Sequence, residues 1–177
     1  MPLHFACPAP LLAQGMAIRP EGMADLPALR ELLRREHWGE FAMLPWDDAA
    51  KAALLDQQFE AQRRHYLRMH PGALFLVLAL RERVIGRLYL AATEKGELRV
   101  LDILLSLDQR SQGVGTLLIS AVLDQARAEG QCVLLEVKKG NPAVNLYQRL
   151  GFQEFADAGI SWHMVWHPVV SGSQASP

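Results

Sequence analysis

The sequence predicts a mixed α/β fold, with a mostly antiparallel central sheet of about seven strands flanked by about four helices around one core. Three observations carry this. Residues 73–105 hold three consecutive strand-like runs separated by short polar turns, the pattern of an antiparallel meander. Helical periodicity brackets that meander on both sides. Val133 to Val137 is a continuous apolar run, as expected of a strand covered on both faces.

Taken in order, Met16 to Arg19 reads as a short strand closed by Pro20 and Gly22. Ala24 to His37 carries Leu26, Leu29, Leu32 and Leu33 at helical spacing. Trp38 to Trp46 is irregular, broken by Gly39 and Pro45, and Asp47 or Asp48 caps a long helix reaching about Met69. His70-Pro71-Gly72 stops it. The meander follows as Ala73 to Leu80, Val84 to Ala92 and Glu97 to Leu105. Val114, Leu117, Leu118, Ala121 and Val122 mark the next helix face, which Gly130 ends. After Val133 to Val137 come a helix over Pro142 to Leu150 and two strands, Phe152 to Phe155 and Ser161 to His167.

At 177 residues the chain suits one domain, expected over 16–168, with a loose arm over 1–15 and a disordered tail over 169–177. A formal net charge of -1 gives no field favouring nucleic acid or an anionic membrane. Prolines at 8 and 10 interrupt the apolar start, and no run reaches the ~18 apolar residues a membrane span needs. Cys7 and Cys132 form neither a disulfide framework nor a zinc spacing, so no metal is expected, and a reducing cytoplasm fits.

Arg110-Ser111-Gln112-Gly113-Val114-Gly115 lies between a strand and a helix. The first N–H groups of a helix have no internal partner and face a positive dipole end, which attracts phosphate. Glycines let backbone approach the phosphate oxygens, and Arg110 can add a charged contact. An isolated Gly-x-Gly turn also serves as a plain connection. A dinucleotide fingerprint would want Gly or Ala where Leu118 stands, and a P-loop would want a Gly-Lys-Ser/Thr that is absent.

A second motif begins 26 residues after Gly115. Asn141-Pro142 reads as an N-cap with proline in the first helical turn, and Gly151 can close the short helix before Phe152. Together, Arg-x-x-Gly-x-Gly and Asn-Pro-Ala-x-x-Leu-Tyr-x-x-Leu-Gly-Phe resemble the two signature motifs of the GNAT superfamily of N-acetyltransferases, and the upstream element order is similar as well. The segment Phe41 to Tyr66 resembles a bacterial subgroup with a long second helix.

The resemblance implies acetyl-CoA as acyl donor and a primary amine of a small molecule or peptide as acceptor. It implies a sheet splayed in a V after the strand ending near Leu105, where Ile103, Leu104 and Leu105 would pair with the pantetheine arm. Amides of Gln112, Gly113, Val114, Gly115 and Thr116, with Arg110 nearby, would hold the pyrophosphate; Asn141 and Ala143 would also contact the cofactor. Families of this kind are commonly homodimers, and the final strands are candidate edges for pairing. A non-catalytic acyl-CoA sensor is the competing reading.

A thioester is already activated, so an uncharged amine can attack it directly. The Leu105 backbone N–H is the expected oxyanion donor and Tyr147 the expected general acid. Asp102 is a candidate base; alternation places it opposite Ile103 and Leu105, together with Val100 and Leu104, and an ion pair with Arg87 or Arg99 is its alternative role. Glu136, His163, His37 and Glu40 are further base candidates. Trp38, Phe41, Trp46, Tyr66, Tyr89 and Trp162 offer aromatic walls for an acceptor pocket or residues for the core.

Overall fold

The computed structural model describes residues 3–168. Its seven strands are β1 (Met16–Pro20), β2 (Leu74–Leu80), β3 (Arg83–Ala92), β4 (Leu98–Leu105), β5 (Val133–Lys138), β6 (Gln153–Asp157) and β7 (Ser161–Trp166). They form one sheet in the order β1-β2-β3-β4-β5-β7-β6, antiparallel throughout except between β4 and β5. The tight β2–β3 hairpin turns on Arg81, whose φ of 57° is the left-handed geometry that matches strand twist.

Five helices cover the sheet: α1 (Ala9–Ala13), α2 (Leu26–His37), α3 (Asp48–Met69), α4 (Val114–Glu129) and α5 (Ala143–Arg149). Asp47 caps α3 by accepting from the Ala50 N–H at 2.7 Å, and Gly130 closes α4 at φ 67°. The apolar faces of α4 and α5, with Leu11 of α1, build the larger core on one side of the sheet with Leu88, Leu90, Leu98 and Val100. On the other side, Leu29 and Leu33 of α2 and Phe59 of α3 pack on Val77 and Leu104.

Two readings of the sequence change. The segment expected as a loose arm holds α1, whose Leu11 is fully buried; Pro10 sits in the first helical turn, where a missing N–H costs nothing. The expected tail over 169–177 lies outside the described residues. In β4, Tyr89 faces Asp102 but Leu90 faces Val100, so Leu101 is an extra, bulged residue. The bulge shifts the alternation by one. Val100 therefore shares the α4 face with Ile103, while Asp102 and Leu104 look toward α2 and α3.

Candidate active site

The parallel ladder between β4 and β5 covers only Leu98–Val100 against Val133–Leu135. Beyond it, β4 continues to pair with β3 as far as Leu105, and β5 pairs with β7 as far as Lys138. The two central strands thus part in a fork directly after the Leu101 bulge. Ser106 N–H donates to Ile85 O on β3 at 2.8 Å, so alternation turns the Leu105 and Ile103 N–H groups to the open edge of β4. Gly86 makes the β3 side of this arrangement fit. A Cβ there would lie 2.6 Å from Leu104 O and 2.8 Å from the Leu105 side chain.

The fork leads into the glycine turn. Gly113, at φ 81° with open space where a Cβ would stand, precedes α4. Leu117 is the donor of the bond to Gly113 O, which leaves the Val114, Gly115 and Thr116 N–H groups without helical acceptors. Arg110 does not point freely into this cradle. Its guanidinium donates to Leu105 O at 3.2 Å and pairs with Glu36 of α2. The Gln112 side chain is likewise turned back onto Asp108 O.

On the α5 side, Asn141 Oδ1 accepts from the Ala143 N–H at 2.9 Å, so its amide begins as a helix cap. Tyr147 is buried edge-on against Phe152, ring centroids 5.7 Å apart. Its hydroxyl has no hydrogen-bond partner among the described residues. Burial, and then the negative charge of Asp102, push its pKa up to about 12.

Asp102 forms an ion pair with Arg87 of β3, whose side chain is 3% exposed. The guanidinium also donates to Gln62 of α3 at 2.7 Å and lies over the rings of Tyr89 and Phe59. Tyr66 of α3 meets Tyr89 edge-on and donates to Leu101 O at 3.2 Å. Tyr89 donates to Glu21, which also pairs with Arg63. This buried network fastens the long helix to the bulge. Only its Arg87–Asp102 link was legible in the sequence; Gly86, Gln62 and Glu21 carry no local pattern that marks them.

Glu136 is the first residue of β5 past the paired stretch whose side chain faces α3. It is half-exposed, accepts from the Ser161 hydroxyl at 2.5 Å, and has His163 Nε2 3.5 Å away. His37 and Glu40 instead bind one another at 2.7 Å at the end of α2. The aromatic candidates do not converge. Tyr66 and Tyr89 meet edge to face at the fork, and Trp162 packs on the α4 face beneath Lys139. Trp38 lines a cavity of about 550 Å³ between α2, α3 and Leu107.

Among the described residues no group of three or more His, Cys, Asp or Glu side chains is placed to hold a metal ion, and no helix is long and apolar enough to cross a membrane. The family model described as the acetyltransferase (GNAT) family matches residues 30–152. The fold is similar to that of the PaiA N-acetyltransferase from Thermoplasma acidophilum in complex with coenzyme A, at 19% identity and TM-score 0.65 over 86% of this chain and 98% of that one. It is also similar to the ribosomal-protein-S18-alanine N-acetyltransferase from Escherichia coli, at 19% identity and TM-score 0.59 over 92% and 99%. An acetyltransferase from Thermus thermophilus aligns at 17% identity and TM-score 0.63 over 86% and 96%. No curated protein matches the chain in sequence.

Proposed function

The chain belongs to the acetyltransferase (GNAT) family, and from that premise we propose that it moves an acetyl group from acetyl-CoA to a primary amine of a small molecule or peptide by direct attack on the thioester. The fork supports this reading: the open edge of β4 leads to a glycine turn with free N–H groups next to Leu105, and the buried Tyr147 feels the charge of Asp102 on the same strand. The solved PaiA relative, bound to coenzyme A, supports the choice of donor.

In this mechanism the Ile103 and Leu105 backbone receives the pantetheine arm, and Gly113 with the amides of Gln112, Val114, Gly115 and Thr116 holds the pyrophosphate. Asn141 and Ala143, at the start of α5, add contacts to the cofactor in the same reading. Leu105 N–H donates to the carbonyl oxygen as negative charge develops there. The base takes a proton from the ammonium, the amine nitrogen bonds to the carbonyl carbon, and the carbon–sulfur bond breaks. Tyr147 gives its proton to the departing sulfur, a task for which a raised pKa keeps it protonated, and the second proton shed by the attacking nitrogen restores the phenol as the amide forms. We assign the base to Glu136, directly or through water, because Asp102 is already committed to Arg87.

Isothermal titration with acetyl-CoA, followed by thiol release with a panel of amines, tests the reading. Binding and turnover are expected. Tight binding without turnover on any amine would favour an acyl-CoA sensor, and no binding would overturn the donor assignment.

A further inference from the structure

Among the described residues five arginines are buried or half-buried, and four of them are neutralised by carboxylates: Arg30 by Glu60, Arg34 by Asp56, Arg63 by Glu21 and Arg87 by Asp102. Arg99 is the fifth. It is half-buried in β4, and its side chain has neither an ion pair nor a hydrogen bond among the described residues. The other four arginines of similar burial are each met by a carboxylate, whereas the guanidinium nitrogens of Arg99, which are not buried, are left open to an anion. The alternation around the Leu101 bulge puts Arg99 on the same face as Asp102, toward α3. Glu136 and His163 stand beyond it on β5 and β7, on that same face. One more nitrogen base, His70 at the cap of α3, lies near enough to feel its charge, with His65 of α3 near His70. His70 is held below the usual imidazole range first by burial and then by the positive charge of Arg99 and of His65.

We propose that the acceptor is a primary amine that also bears an anionic group, a carboxylate or a phosphate, and that Arg99, flanked by His65 and His70, binds this group while the amine lies at the fork beside Glu136. The inference rests on the acetyl-transfer reading and names its substrate class. Arg99 stands opposite Leu134, and Glu136 follows two residues further along β5, about 8 Å from Arg99 by strand spacing, so the two charges of the acceptor are separated by several bonds. Arg99 faces the acceptor side of the sheet, whereas the glycine turn that would hold the donor phosphates follows the far end of β4.

The test compares matched acceptors with acetyl-CoA as donor: 5-aminopentanoate against pentylamine, and 3-aminopropyl phosphate against propylamine. At least one anionic member should show kcat/KM about tenfold or more above its plain partner, and which pair does so separates carboxylate from phosphate. In Arg99→Ala that ratio should collapse toward one, and Arg99→Lys should restore part of it. Equal or better use of the plain amines, or a preference that survives Arg99→Ala, overturns the proposal. A second readout does not depend on turnover. Titrated by NMR, the His70 imidazole should shift upward on adding 5-aminopentanoate or 3-aminopropyl phosphate to the wild-type protein, and not in Arg99→Ala. A His70 midpoint unmoved by either compound sinks the acceptor class even if acetyl-CoA is bound and used; absent acetyl-CoA binding would instead strike the acetyl-transfer reading.

Discussion

Arg87 and Asp102 are paired diagonally across β3 and β4 at the root of the fork, where the arginine is almost wholly buried. Removing one partner leaves the other charge stranded. Arg87→Met is expected to cost about 3–5 kcal/mol, and adding Asp102→Leu should recover much of the loss. Urea unfolding of the two single variants and the double variant measures this. A loss in the double variant equal to the sum of the two single losses would show that the pair is not coupled.

Tyr147→Phe removes the proton donor while keeping the ring against Phe152. We expect kcat to fall by about 10²-fold or more, with acetyl-CoA affinity changed by no more than about twofold. An unchanged kcat would exclude Tyr147 as the acid.

Glu136→Gln should lower kcat/KM for the amine by about 10²-fold or more, and the deficit should shrink as pH rises and more of the amine is free of its proton. Asp102→Asn, by contrast, should be felt first in stability. A collapse in rate with Asp102→Asn and none with Glu136→Gln would transfer the role of base to Asp102.

All three tyrosines of the chain have raised pKa values, each chiefly through burial: Tyr66, Tyr89 and Tyr147. Unfolded tyrosine ionises near pH 10. A group raised in the folded state stabilises it fully below the unfolded value, and that contribution is lost as pH climbs toward the folded one. Stability should therefore be level up to about pH 9 and decline above pH 10, by up to about 1.4 kcal/mol per pH unit for each tyrosine. Absorbance near 295 nm should stay flat until the chain unfolds; a gradual rise in the folded protein would show that a phenol is solvent-accessible.

Gly86→Ala forces a methyl group onto Leu104 O and the Leu105 side chain. A cost of about 1–3 kcal/mol is expected. Because the crowded residue is Leu105, kcat should fall as well. A variant with full stability and full activity would mean that β3 can withdraw from β4 without consequence.

The strand and helix sequence was legible because each element writes its period into local residues: the meander over 73–105, the leucines of α2, the face of α4. The two signature motifs were legible for the same reason, since each is contiguous. The Leu101 bulge was not. Val100, Leu101 and Ile103 are all aliphatic, so the chain looks like an uninterrupted strand, and only pairing with β3 reveals the extra residue. Arg110 was expected at the phosphates, and its bond to Glu36 joins positions 74 apart that no spacing rule connects. The short helix α1 was hidden by its own prolines, which read as breakers although Pro10 occupies a helix's opening turn.

The bulge has a consequence for how this protein can change. By advancing the pleat one step, it sets side chains of a single strand on opposite faces: Ile103 and Leu105 look one way, Arg99 and Asp102 the other. On the proposed acceptor site, substitutions at 99, 136 or 163 would retune which amine is taken without touching the Leu105 edge or the glycine turn. One inserted residue would then make the acceptor half of the enzyme a replaceable part.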